Sequence, residues 1–292
     1  MTQAIAVARA RAVDLLELTR PRVVLMVLMT TAAGFYLGST SDIDPLDMCH
    51  TLIGTALAAA GSLILNQFLE RDLDARMERT RYRPLVEGRL DATTALGVGA
   101  LIATAGPLYL IVKVNTLAGL LTAAIVVGYL FIYTPLKQRT SLCTIVGAVP
   151  GALPPLVGVV GARGELGVDA PVLFAILFLW QIPHSLAVAW LYRNDYARAG
   201  TQLLPVIEPD GRSTGTRAVA SCAALLAVAL LPTSIGRAGA VYLLAALTLG
   251  LGLLVCAVML ALRHQAADAR RLLLASLLYL PALLAFMAFD KA

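Results

Sequence analysis

Nine stretches of mostly apolar residues, each close to twenty long, limit what this chain can become. They run at approximately 22–39, 50–68, 92–112, 115–135, 143–161, 170–191, 217–235, 239–262 and 271–289. A bilayer core about 30 Å thick takes a helix of about 20 such residues. In lipid, a spanning segment that is not part of a closed barrel must satisfy its backbone polar groups as a helix. With 292 residues, 59% of them hydrophobic and only 14% charged, no apolar-poor portion is large enough for a separate soluble domain. The expected fold is therefore all-α, a single nine-helix membrane bundle over residues 1–292, with 1–20 as a short segment ahead of the first span.

Orientation follows from the cations, because cytoplasmic loops carry the excess of Lys and Arg. With the N-terminus inside, 19 of the 23 Lys and Arg residues fall on the inner side. The outer segments hold only Lys113, Arg163, Arg237 and Lys291, and the first outer loop is acidic through Asp42, Asp44 and Asp47. The net charge of +5 is thus a topology signal, and no base-reading motif accompanies it, so nucleic acid is not an expected partner. The first twenty residues lack the continuous apolar core of a cleaved secretory signal, and Asp14 and Glu17 argue weakly against a mitochondrial presequence. The expected location is a bacterial cytoplasmic membrane, with the mitochondrial inner membrane as the alternative. Cys49, Cys143, Cys222 and Cys256 are isolated from one another in sequence and read as packing residues.

The second span runs directly into a block of charge, Asn66-Gln-Phe-Leu-Glu70-Arg-Asp72-Leu-Asp74-Ala-Arg76-Met-Glu-Arg79-Thr-Arg81-Tyr-Arg83-Pro84. If the helix continues, Asn66, Glu70 and Asp74 lie four apart on one face, spaced about 6 Å along the axis. Neighbouring like charges call for something positive between them. One reading is a solvated cap made by Arg71, Arg76, Arg79, Arg81 and Arg83. The other is a divalent cation: a hard ion such as Mg²⁺ takes one or two carboxylates, with waters and substrate phosphates completing its shell. The arginines have the fork geometry that suits phosphate oxygens. Carboxylates and guanidiniums interleaved this closely point to a metal and a diphosphate together.

Other motifs gather on the same side. Span four ends in Tyr133-Thr-Pro-Leu-Lys137-Gln-Arg139-Thr140, and span six in Trp180-Gln-Ile-Pro-His184 followed by Arg193-Asn-Asp195-Tyr-Ala-Arg198. Spans two and six run in the same direction, so their acidic and basic ends share one face, and Glu70-Arg71-Asp72 is expected to face Arg193-Asn194-Asp195 across one cavity. His184 lies inside an apolar helix, where an ionisable residue is a functional candidate or a satisfied structural group. His50 and His264, near span ends, read as interface residues. Gly147, Gly151, Pro154, Pro155 and Gly158 in span five are small or kinking residues that permit close packing. A transporter would want its charges near the midplane, whereas these sit at one face.

These motifs resemble the UbiA superfamily of membrane prenyltransferases. Asn-x-x-x-Glu with an Asp four residues on and Met-x-Arg-Thr beyond carries the superfamily likeness. Leu18-Thr-Arg-Pro-Arg-Val, Trp180 to His184, and Asp195-Tyr-Ala-Arg-Ala-Gly200 before Leu204-Pro205 extend it to the haem-directed branch, the protohaem IX farnesyltransferases. Glu70 stands where Asp is more usual, and Tyr82 and Ser185 replace residues that are often Asn and Phe. The resemblance implies transfer of farnesyl from farnesyl diphosphate to haem B, with water supplying a hydroxyl, to give haem O and diphosphate. It implies Mg²⁺ on Asn66, Glu70, Asp74 and Asp195, with Lys137 beside them in catalysis. Arg71, Arg79, Arg83, Lys137, Arg139, Arg193 and Arg198 would hold the diphosphate, and His184 would meet the haem. Phe68, Tyr129 and Tyr133 would wall the cavity, and the product would pass to a haem A synthase step downstream. A prenyltransferase for a quinone precursor is the nearest alternative.

Overall fold

The computed structural model describes residues 11–39 and 43–291; Arg9 and Asp42 lie outside them. Among the described residues, nine helices are long and apolar enough to cross a membrane. They are α1 (Pro21–Gly38), α2 (Pro45–Leu69), α3 (Ala92–Lys113), α4 (Thr116–Leu136), α5 (Cys143–Arg163), α6 (Ala170–Leu191), α7 (Arg212–Ser234), α8 (Ala240–Arg263) and α9 (Ala266–Phe289). Three begin several residues before the apolar runs because helices accept charge in their first turns. Asp44 caps α2 by accepting from the backbone N–H of Leu46 at 2.8 Å, and Arg217 and Asp268 lie inside α7 and α9.

Consecutive helices pack side by side, and α6 also packs on α9 while α1 packs on the second half of α5. Helix α5 is the most enclosed, with 61% of its most apolar stretch buried against 22–44% for the other eight. Its sequence explains both its place and its shape. The helix breaks at Leu153, ahead of Pro154 and Pro155, which lack an N–H and clash with the preceding turn. Beyond the break, the backbones of α5 and α1 nearly touch. A β-carbon added at Gly158 would sit 2.0 Å from the Thr31 carbonyl oxygen, and one at Gly34 would sit 2.0 Å from that of Pro155. Close packing through small residues is thus what the composition of span five specified.

Helix α4 holds a feature that apolar periodicity does not reveal. Gly128–Tyr133 forms a π-helical turn just before the Thr134–Leu136 segment. Gly147 of α5 leaves room for the Tyr133 ring there. The cysteines are all unpaired; Cys143 and Cys222 are buried, as packing residues should be, whereas Cys49 is exposed. His50 bonds Tyr109 at 2.7 Å, and His264 ends α8 in a left-handed conformation (φ 53°).

Gly158→Ala should destabilise the protein by about 1–3 kcal/mol, the usual cost of overpacking, because the atom it meets is backbone. Gly252→Ala, which meets nothing within 4 Å, should leave stability unchanged or slightly raised. Thermal unfolding in lipid nanodiscs checks the pair, and equal midpoints would contradict the α1–α5 crossing.

Candidate active site

The charged block of α2 remains on one face, although the helix does not run straight through it. Helix α2 ends at Leu69, Glu70 takes a non-helical conformation (φ −96°, ψ 8°), and Arg71–Asp74 resumes as a single turn. The i to i−4 ladder survives the break. Glu70 N–H bonds the Asn66 carbonyl at 2.9 Å, and Asp74 N–H bonds that of Glu70 at 2.8 Å. Asn66, Glu70 and Asp74 therefore still share a face, and all three are buried, at 1%, 6% and 1% exposure. Arg71 and Asp72 point the other way, exposed and paired with each other at 3.3 Å.

Each buried carboxylate has its own cation. Lys137, just past α4, donates to Glu70 Oε1 at 2.8 Å, and Arg83 donates to Asp74 Oδ2. Burial pushes the Asp74 carboxyl above the usual carboxylate range; Arg83 draws it down and the Glu70 charge pushes it up again. Burial likewise lowers Arg83, with Arg20 adding to the effect. At Lys137 burial also acts downward, but the neighbouring oxygens of Tyr133 and Glu70 outweigh it, so the ammonium is held above its ordinary value. Burial thus works against charge on each of these groups, and the paired charges hold one another ionised.

The π-turn of α4 sets the third oxygen. Thr134 Oγ1 donates to the Tyr129 carbonyl at 2.9 Å and accepts from Asn66 Nδ2 at 3.1 Å. With its NH₂ so engaged, the Asn66 amide turns its carbonyl oxygen away from α4, an orientation assigned from this network. Tyr129 and Tyr133 stack with centroids 5.6 Å apart, and Lys137 Nζ lies 4.8 Å from the Tyr133 ring centroid. Phe68 does not join them; it packs against Leu18, Ile64, Leu85 and Leu90 beneath the loop.

The α2 and α6 ends do meet, but through different residues from those the sequence suggested. Asp195 accepts from the backbone N–H groups of Glu78 and Arg79 at 3.3 and 3.4 Å and pairs with Arg198, which also reaches Glu78 at 3.5 Å. Asp195 thus fastens the α2–α3 loop, and the meeting is with Glu78 and Arg79 instead of with residues 70–72. The Arg79 guanidinium lies 4.9 Å from the Tyr192 ring centroid, and that of Arg193 4.5 Å from the Trp190 ring. Arg139 is exposed at the rim. The other end of the loop is anchored by Arg89, which pairs with Asp14, Glu87 and Glu17.

Arg20, at the entry to the first span, belongs nearer the centre than an arginine that only anchors the interface. Arg20 acts electrostatically on both Asp74 and Arg83. It holds a left-handed backbone (φ 49°, ψ 69°) at the start of α1, a conformation that costs a non-glycine residue roughly 1–2 kcal/mol. Pro21 had already disfavoured the α-helical conformation at Arg20. That restriction was the one available hint that the arginine turns off the helix line.

Farther up α6, His184 Nδ1 lies 2.9 Å from Ser276 Oγ of α9, and the ring stacks on Trp180 with centroids 5.0 Å apart. Among the described residues, no three His, Cys, Asp or Glu side chains form a ready cage for a metal. The donor set nevertheless suits a magnesium ion, which prefers hard oxygens, takes one or two carboxylates and leaves the remaining positions to water and phosphate. Asn66, Glu70 and Asp74 offer such oxygens, while those of Asp195 accept from the loop N–H groups and from Arg198.

Comparison with known proteins agrees with this architecture. Residues 27–288 match the model of the UbiA prenyltransferase family. A protoheme IX farnesyltransferase of Solibacter usitatus (strain Ellin6076) is 45% identical over 287 residues, covering 95% of this chain and 98% of that protein. One from Koribacter versatilis (strain Ellin345) is 42% identical over 305 residues, covering 100% and 98%. Among solved structures, a digeranylgeranylglyceryl phosphate synthase superposes with a TM-score of 0.81 at 15% identity, covering 95% of this chain and 97% of its own. A UbiA homologue from Archaeoglobus fulgidus bound to GPP and Mg²⁺ gives 0.68 at 17%, covering 94% and 99%. With nine helices among its described residues long and apolar enough to cross a membrane, and a family match spanning nearly its whole length, this chain belongs to the UbiA family of membrane prenyltransferases.

Proposed function

We propose that this prenyltransferase moves the farnesyl group of farnesyl diphosphate onto a vinyl group of haem B, giving haem O and diphosphate. The allylic C–O bond breaks, the outer vinyl carbon forms a C–C bond to the farnesyl carbon, and water adds its oxygen to the inner vinyl carbon and gives up a proton to the released diphosphate. The observation that carries the reading is the buried carboxylate pair Glu70 and Asp74, each matched by a cation, at one end of an apolar bundle. Support for the acceptor comes from relatives 38–45% identical that bear the protoheme IX farnesyltransferase name. Support for the donor comes from the Archaeoglobus fulgidus homologue with GPP and Mg²⁺.

Magnesium held by Asn66, Glu70 and Asp74 would supply Lewis-acid charge to the leaving diphosphate. Lys137 and Arg83, already at the two carboxylates, turn their remaining donors to phosphate oxygens, and Arg20, Arg79, Arg193 and Arg198 complete the positive field around them. Asp195 keeps the α2–α3 loop, and with it Arg79, closed over this end. The stacked faces of Tyr129 and Tyr133 stabilise positive charge on the farnesyl carbon and keep water from it until the vinyl group attacks. His184 stands eight residues, about 12 Å of helix, before Tyr192 at the rim, deep enough to meet a porphyrin while the diphosphate stays at the end. By the distribution of Lys and Arg, that end lies on the cytoplasmic side of a bacterial inner membrane.

Glu70→Gln and Asp74→Asn should each lower kcat/KM at least about 100-fold in assays with saturating magnesium. Glu70→Gln/Lys137→Met, which removes the charge pair as a unit, should fold and remain inactive; kcat/KM near the wild-type value in any of the three contradicts the assignment. EDTA should abolish product and added magnesium restore it. Farnesyl diphosphate offered with haem B or with an aromatic acid should give a prenylated product, read by mass spectrometry, only from haem B. Prenylation of the aromatic acid alone would favour the quinone-precursor reading.

A further inference from the structure

His184, given to haem B in the reading above, has its second ring nitrogen tied down in a way that decides which nitrogen is free. Its Nδ1 lies 2.9 Å from Ser276 Oγ. The same hydroxyl lies 2.7 Å from the carbonyl oxygen of Leu273, one turn earlier on α9. Two oxygens at that distance need a hydrogen between them, and serine has only one to give. Ser276 therefore donates to Leu273 and accepts from the imidazole. The proton of neutral His184 is thereby assigned to Nδ1, and Nε2 is left with its lone pair.

The surroundings hold this arrangement in place. Ser276 is fully buried, so its hydroxyl has no solvent with which to exchange partners. Trp180 stacks on the imidazole with an interplanar angle of 24°, and its Nε1 donates to the Ser276 backbone carbonyl at 2.8 Å. The indole and the hydroxyl fix the plane and the rotation of the ring together. His184 itself is only half-buried, and among the described residues no side chain donates to Nε2. A histidine that ligates a metal commonly donates its other N–H to a fixed acceptor, which sets the tautomer and makes the ligating nitrogen more basic. Haem iron is often held by such an imidazole.

We propose that Ser276 is a positioning residue for the acceptor substrate: it locks His184 in the Nδ1–H tautomer and so presents Nε2 as a neutral axial ligand to the iron of haem B. The proposal rests on His184 as the haem contact. Iron ligation then fixes the porphyrin height in the bundle, while rotation about the Fe–N axis leaves the vinyl groups free to find the farnesyl carbon.

The test titrates the protein in lipid nanodiscs with haem B and follows ligation by Soret absorption and EPR. Wild type should give an imidazole-ligated spectrum. Ser276→Ala should weaken haem B binding by about 10-fold, the lower end of what losing such a partner costs, with farnesyl diphosphate binding unchanged. A second comparison leaves Ser276 in place. His184→Gly should regain ligation with added imidazole, which keeps an N–H for Ser276, at several-fold lower concentration than with 1-methylimidazole, which has none. In His184→Gly/Ser276→Ala the two should become equivalent. Equal rescue by both imidazoles in His184→Gly, or wild-type affinity and spectrum in Ser276→Ala, would overturn the role of Ser276 while leaving the haem contact standing. A wild-type spectrum in His184→Gly without any imidazole would instead overturn the haem contact itself.

Discussion

Two carboxylates held four residues apart in a region closed to water cannot remain there alone. At about 6 Å and an effective dielectric of about 20, their repulsion amounts to about 3 kcal/mol, before any cost of burial. The fold answers by bringing a cation to each from another part of the chain: Lys137 from the end of α4 to Glu70, and Arg83 from the α2–α3 loop to Asp74. Much of the architecture at this end follows from that requirement. The loop must fold back for Arg83 to reach Asp74, Asp195 on the α6 side secures it through the backbone of Glu78 and Arg79, and α4 must end beside α2.

Such an arrangement contributes little net stability, since the desolvation of two ion pairs offsets most of their attraction. Its value lies in chemistry. Where a diphosphate is to be expelled from an allylic carbon, positive charge must already be in place and water must be kept away. The same physical device, a hydroxyl committed to one carbonyl and therefore able only to accept, appears twice. Thr134 uses it to orient the Asn66 amide, and Ser276 uses it to orient the His184 ring. In both cases the hydroxyl determines which atom of the neighbouring side chain is left free.

The membrane architecture was legible in the chain because hydropathy over twenty residues is a strong signal, and span ends differ by more than two residues only where charged first turns extend a helix past its apolar run. The glycines and prolines of α5 announced close packing for the same reason: removing a side chain or an N–H has few local uses. The carboxylates on one face were legible through helical periodicity, even though the helix breaks at Glu70. What escaped was information carried by tertiary geometry. The π-turn at Gly128–Tyr133 leaves no period in the sequence, Arg20 looked like any interfacial arginine, and Ser276 is one small polar residue in an apolar helix. Asp195 was found by its motif, but its attachment to the loop backbone was not, because a side chain bonded to main-chain N–H groups leaves no trace in the partner's residue types.

The account stands on Asn66, Glu70 and Asp74 joining a divalent ion to the diphosphate of the prenyl donor. Manganese in place of magnesium, followed by pulsed EPR on the protein in nanodiscs, reads that junction directly. With farnesyl diphosphate present, the account predicts phosphorus hyperfine coupling to the bound ion, together with nitrogen coupling that disappears in Asn66→Asp. A bound ion that shows phosphorus coupling unchanged in Glu70→Gln and Asp74→Asn, or none in the wild type, would contradict it.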